Sequence, residues 1–310
     1  MLPSVLVGVV VAVFCPDQVV LVDLGRVAVT ARIALPAAGA AVFAAPDGRL
    51  LVPLAGEDAT LVIKGSAVVE RWRGRLFPLF FDEPDHVHVV LPDALVTLSY
   101  PERLPLTRVP IPGLGAIRRA AVNRDGRLVA VAPAADGART LLIVAAVEGG
   151  SARRVMLGGD ARLLAYAEDG GFALVATGPS VVEFAAAGQT RAQAAPPLDG
   201  AVTALAVTGR REAVVGIADG SGGALIGLKV DAAGRPPLKP KFRTPLAAAP
   251  TALRVAGENV VAVGGGELVV LTRRGRRVRQ TLALPGAFDL AMMPEVPAST
   301  LPAWSDAPPH

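Results

Sequence analysis

Apolar residues in this chain come in short alternating runs, rarely longer than eight residues. Gly, Pro and Asp-Gly punctuate them. Helical periodicity of i, i+3, i+4 does not survive such punctuation, whereas strands need only four to eight residues. One phrase recurs: a small residue, a short apolar residue, then an alternating apolar run. It appears at Gly39–Ala45, Gly115–Val122, Asp160–Ala167, Gly200–Val207, Pro250–Ala256 and Gly286–Met292, with a weaker copy at Leu76–Phe81. Most copies run into a turn and a second apolar run. The turns are Pro46–Gly48, Glu83–Asp85, Arg124–Gly126, Glu168–Gly170, Gly209–Arg211 and Gly257–Asn259. Asp-Gly between apolar runs signals a hairpin, because glycine reaches positive φ without steric cost.

Anchored on Asp47, Asp85, Asp125, Asp169, Arg210 and Glu258, the spacings are 38, 40, 44, 41 and 48 residues. One further step back reaches the first apolar run near Leu6, which makes seven anchors. Each repeat has room for four strands. In the second they are expected at Ala40–Ala45, Arg49–Pro53, Ala59–Ile63 and Val68–Trp72. Four strands per ~40 residues is the pattern of a propeller blade. The expected fold is therefore all-β: a single β-propeller, most simply of seven four-stranded blades, over residues 1–292. The chain opens on what reads as a second strand and ends its repeats on a first strand, Gly286–Met292. Pairing of the two would close the ring and remove exposed sheet edges. Residues 293–310, with Pro294, Pro297, Pro302, Pro308 and Pro309, read as an extended tail in which Trp304 is a candidate anchor for a partner's pocket.

Composition fits this architecture. The 310 residues are 52% hydrophobic and 19% charged, and the mean hydropathy is +0.48. Blades that stack face to face bury both faces of their inner strands, so a high apolar content needs no membrane. The longest charge-free stretch, Met1–Pro16, is short of the ~20 residues that span a bilayer. No Lys or Arg precedes Arg26, which argues against a secretory n-region, and Leu2–Phe14 reads as a buried strand. Cys15 is the single cysteine, so a disulfide scaffold is excluded and a reduced core thiol is expected. These features point to a cytoplasmic protein.

The segments Val19–Pro36 and Ala45–Ile63 resemble the bacterial YVTN-type β-propeller repeat, a relative of the WD40 and lactonase-like propellers. The likeness is good over about one and a half blades and loose over the others. Leu51–Leu54 stands where the family has its Tyr-Val-Thr-Asn tetrad, and the Trp-Asp and Gly-His pairs of WD40 repeats are absent. The resemblance implies a rigid ring. It does not imply an activity, because such rings carry binding modules and enzymes alike.

The chain has no P-loop, no Gly-x-Ser-x-Gly elbow and no His-Glu-x-x-His motif. His86 and His88 are the one metal-like pair. Spaced by two on a strand, they share a face, but they lack the further ligands of a structural zinc site and read as an exposed strand face. No catalytic residues and no cofactor are implied. The informative feature is charge. Residues 208–280 carry thirteen basic and five acidic residues, a local charge of +8 that leaves −4 on the rest of the chain. Turns between first and second strands and between third and fourth strands share one face of a propeller. That places Arg210 and Arg211, Lys239 and Lys241, and Arg273, Arg274, Arg276, Arg277 and Arg279 in one candidate basic patch on the last two repeats. A partner protein with an acidic surface is the expected ligand, and the protein is then a non-catalytic scaffold or accessory subunit of a larger bacterial assembly. Nucleic acid is disfavoured, since aromatics for base stacking are missing. The alternatives are a lactonase-like, metal-dependent hydrolase with its site in the central channel, or a nucleic-acid or anionic-surface binder using the same basic repeats.

Overall fold

In the computed structural model, described residues are 9–82, 85–91, 94–110, 117–122, 128–133, 140–145, 153–167, 171–186, 189–209, 212–229, 239–272 and 274–293. Their strands assemble into seven four-stranded antiparallel sheets. The first joins Asp289–Met292, from the end of the chain, to Val10–Cys15, Gln18–Asp23 and Ala28–Ala34. The second is Phe43–Ala44, Leu50–Pro53, Ala59–Lys64 and Ala67–Arg73. The third is Pro78–Asp82, His86–Leu91, Ala94–Ser99 and Pro105–Pro110. The fourth is Ile117–Val122, Leu128–Pro133, Thr140–Ala145 and Arg153–Met156. The fifth is Leu163–Tyr166, Phe172–Ala176, Val182–Ala186 and Gln193–Ala194. The sixth is Ala201–Gly209, Glu212–Asp219, Gly222–Lys229 and Lys239–Leu246. The seventh is Ala252–Ala256, Asn259–Gly264, Glu267–Thr272 and Arg277–Ala283. The architecture is an all-β, single β-propeller. No helix among the described residues is long and apolar enough to cross a membrane.

The repeating phrase forms the first strand of each sheet, and these strands meet one another around the inner rim. The ring closes where Val11–Phe14 pairs with Asp289–Met292, Val13 opposite Leu290. Met293 adds one more bond, its N–H donating to the Val10 carbonyl at 3.0 Å. In the second sheet, the expected strand at Ala40–Ala45 shrinks to Phe43–Ala44, with an isolated bridge from Gly39 to Leu54. A side chain on Gly39 would collide with the Phe14 ring at 2.5 Å, so only glycine fits where the chain passes the first sheet. The Asp47-Gly48 turn forms as the sequence predicts: Gly48 has φ of 79°, and Asp47 accepts the Arg49 N–H at 3.1 Å. The turns anchored on Asp125 and Asp169 lie outside the described residues, as do Arg210 and Arg211.

The core lies between sheets. Along the second strand of the first sheet, Val11, Val13 and Cys15 pack against Val261, Val263, Leu268 and Val270 of the seventh sheet. The alternate residues Ala12 and Phe14 pack against Leu50, Val52, Leu61 and Ile63 of the second. Period two therefore distributes one unbroken apolar run to two interfaces, which is why these strands read as solid rather than alternating hydrophobics. The same division recurs in the sixth sheet, where Ala213, Val215 and Ile217 face the fifth sheet and Val214 faces the seventh. Cys15 is a free thiol only 1% exposed. The fourth strands are the exposed outer edges. They carry charges and prolines, such as Glu70, Arg71, Pro105, Arg277 and Arg279, which discourage edge-to-edge pairing.

Candidate functional site

Sheets six and seven carry the basic repeats, and their interface opens into a cavity of about 200 Å³. The sixth sheet contributes Thr208 from its first strand, Glu212 and Val214 from its second, Gly227 and Leu228 from its third, and Lys241 and Phe242 from its fourth. The seventh contributes Glu258, Arg274 and Arg276 from two turns. These positions place the end of the first strand and the start of the second strand of the sixth sheet beside the third-to-fourth turn of the seventh.

Local backbone chemistry fixes Arg274. It sits at φ of 59° with Gly275 at 95° behind it, a left-handed pair that reverses the chain tightly. Its N–H donates to the Glu258 carbonyl at 2.7 Å, which ties the two turns of the seventh sheet together. Thr244 Oγ1 of the sixth sheet donates to the Gly275 carbonyl at 2.8 Å. The Arg274 side chain then crosses to the sixth sheet, where its Nη1 bonds Glu212 Oε2 at 2.5 Å. Lys241 Nζ bonds the other oxygen, Oε1, also at 2.5 Å. Hydrogen bonds from Lys241 and then Arg274 hold the Glu212 carboxyl below the usual carboxylate range, against the opposing effect of burial.

The floor of the cavity is built by a glycine. Gly227 pairs with Phe242 across the ladder, and a side chain there would meet the ring at 1.9 Å. The ring therefore lies over bare backbone, and the Arg276 guanidinium stacks on it 5.4 Å from the centroid. Thr208 is 8% exposed, and its hydroxyl has no hydrogen-bond partner among the described residues.

Of the basic residues singled out by sequence, Lys241 and Arg274 converge on Glu212, and Arg276 lines the same cavity. Arg277 and Arg279 follow on the exposed fourth strand of the seventh sheet. Lys239 opens the fourth strand of the sixth sheet. Arg210, Arg211 and Arg273, together with Trp304, lie outside the described residues. Sequence reasoning missed Glu212 as the pivot and Phe242 as the platform. Glu212 follows Arg211 directly, but only the pairing of the two sheets reveals that it serves cations from two other strands.

His86 and His88 occupy one strand of the third sheet, but His88 is not on an exposed face. It is 9% exposed, and its Nδ1 lies 3.1 Å from Thr97 Oγ1 on the neighbouring strand. Its strand neighbours Val87 and Val89 point to the opposite face, into a core with Trp72 and Tyr100. Among the described residues, no group of three or more His, Cys, Asp or Glu side chains could hold a metal ion.

A second cavity, of about 170 Å³, lies on the inner rim where the first strands of sheets five, six and seven meet the closing strand. Its polar wall is Thr203, Thr251, Arg254 and Asp289, and leucines and alanines form the remainder.

No family model matches the sequence, and no curated protein matches it. Solved structures do. Hydrazine synthase from Kuenenia stuttgartiensis aligns with a TM-score of 0.66 at 14% identity, covering 84% of this chain and 90% of that one. A functionally unknown protein from Desulfotomaculum acetoxidans DSM 771 aligns with a TM-score of 0.68 at 14% identity, covering 93% and 100%. Apo AztD from Citrobacter koseri aligns with a TM-score of 0.65 at 10% identity, covering 92% and 97%. At such identities the likeness shows the β-propeller fold alone.

Proposed function

We propose that this chain is a non-catalytic β-propeller platform that docks a protein partner with an acidic surface along the rim of sheets six and seven. The observation that carries this reading is the Glu212 bridge. It fixes the Arg274 turn, and so sets the course of the strand that follows. Arg276, Arg277 and Arg279 stand exposed on that segment, and among the described residues none of them pairs with a carboxylate. Clustered cations on a rigid edge steer an oppositely charged surface and fix its register. Arg276, held over the Phe242 ring, loses less rotamer freedom on binding than a free arginine would.

The test is affinity purification of the full chain from its native source at low salt, beside a variant carrying Arg276→Glu, Arg277→Glu and Arg279→Glu. The expected result is a reproducible partner that is eluted by salt and absent from the charge-reversed bait. A control, Arg71→Glu on the second sheet, should retain it. Equal recovery by wild type and the triple variant, or a lone 31.7 kDa monomer, would overturn the reading.

A further inference from the structure

The inner-rim cavity is a separate place on the ring, with its own chemistry. We propose that it binds a small aliphatic zwitterion, of the class of a free branched-chain α-amino acid. Thr251 spends its hydroxyl on the Phe288 carbonyl at 2.7 Å, but Thr203 and Arg254 have spare capacity. Thr203 Oγ1 is buried and has no hydrogen-bond partner among the described residues. A buried hydroxyl without a partner is costly, and the cost is recovered when a ligand supplies one. The Arg254 guanidinium donates from Nη1 to the Leu253 carbonyl at 2.9 Å. Its Nη2 lies 3.5 Å from Asp289 Oδ1, at the outer limit of a hydrogen bond. Of its five donors, the others remain for a planar anion such as a carboxylate.

The charges on the wall decide the net charge of the guest. Arg254 and Asp289 offset one another, so a guest bearing a single charge would leave one of them without its counterion. A guest with both an ammonium and a carboxylate keeps the balance: the carboxylate on Arg254, the ammonium on Asp289. Burial raises the Asp289 carboxyl from its ordinary value, and an adjacent ammonium would favour its ionised form. The remaining wall is aliphatic, with Leu163, Leu164 and Leu205 among it, which suits a branched hydrocarbon side chain rather than a polar one. At about 170 Å³ the cavity holds several water-sized groups of ~30 Å³ each, the scale of one amino acid rather than of a nucleotide.

The test is isothermal titration of the full chain at pH 7 with three probes: L-valine, isovalerate, which lacks the ammonium, and isobutylamine, which lacks the carboxylate. L-valine should bind saturably, and each truncated probe about tenfold more weakly or not at all. Thr203→Val removes the partnerless hydroxyl at constant shape, so it should fold as well as wild type yet bind L-valine about tenfold more weakly. Arg254→Gln should abolish binding. Absence of saturable L-valine binding, equal binding of isovalerate or isobutylamine, or unchanged affinity in Thr203→Val and Arg254→Gln would each overturn the proposal. None of these readouts involves the outer basic rim, so failure here leaves the docking reading to its own test.

Discussion

Arg274 of the seventh sheet and Glu212 of the sixth meet across the boundary between their sheets, with Nη1 and Oε2 2.5 Å apart. Lys241 completes the group on the other carboxylate oxygen. Two positive residues of the basic repeats are thus used internally, as a clasp, while their neighbours face outward.

Glu212→Gln should loosen that clasp. The pairs are partly exposed, so the expected loss is roughly 1 kcal/mol, nearer the lower end in high salt. The pH dependence has a definite sign. The folded state holds the Glu212 carboxyl below its ordinary value of 4.5. Its contribution is therefore complete above about pH 4.5 and fades as pH falls through the lower, folded value. Urea midpoints of wild type and Glu212→Gln should differ at pH 7 and converge toward pH 3. Identical midpoints at both pH values would show that the clasp contributes nothing.

Gly227→Ala tests the floor of the same cavity. A methyl group there would lie 1.9 Å from the Phe242 ring, far inside van der Waals contact. Aromatic cover of a strand glycine is a recognised way to pin a sheet. The ring must leave, and with it the Arg276 stack. We expect a destabilisation of about 1–3 kcal/mol, and weaker partner recovery than the surface charge alone would explain. Thermal unfolding of the variant reads the first effect directly.

The ring was legible in the sequence because propeller strands advertise themselves twice. Their apolar runs supply both faces, as Val11 and Ala12 do, and Asp47-Gly48 marks where one hairpin turns. Closure was legible for the same reason: Gly286–Met292 had the phrase of a first strand and no second strand after it. The Glu212 clasp was not legible. Its three members lie on a second strand, a fourth strand and the next sheet's turn, and no spacing rule links positions 212, 241 and 274. His88 misled in the opposite direction, since period two put it on the face of His86 but could not tell that its ring nitrogen meets Thr97. Sequence periodicity reports which face a residue takes. It does not report what the next sheet presents to that face.

Glu183 offers a sharper stability test. It is 3% exposed, and it accepts the Gly158 N–H at 2.9 Å on each oxygen and the Thr177 hydroxyl at 2.6 Å. The carboxylate thereby anchors the connection from the fourth sheet to the third strand of the fifth. Glu183→Ala leaves the buried Thr177 hydroxyl and the Gly158 N–H without their acceptor, which should cost about 1–3 kcal/mol. Glu183→Gln retains one carbonyl acceptor and should cost less. Amide exchange at Gly158 should accelerate in both, and most in the alanine variant. An unchanged Gly158 rate would rule out the anchoring role.

Asp289 should show the reverse pH behaviour to Glu212. Burial raises its carboxyl above the ordinary value of 3.8, and Arg254 only partly counters this. Between 3.8 and the higher folded value, the folded state binds more protons than the unfolded chain. Ionising Asp289 therefore subtracts stability as pH rises through that window. Asp289→Asn removes the titration while keeping a side-chain oxygen to accept the Leu290 N–H, which Asp289 Oδ1 binds at 2.8 Å. Relative to wild type, the variant should be least favourable near pH 3 and gain steadily as pH rises, by an amount read from urea unfolding at pH 3, 5 and 7. Wild type and variant curves that run parallel across this range would mean that Arg254 fully offsets the cost of burying the carboxylate, so that folding leaves its titration unchanged.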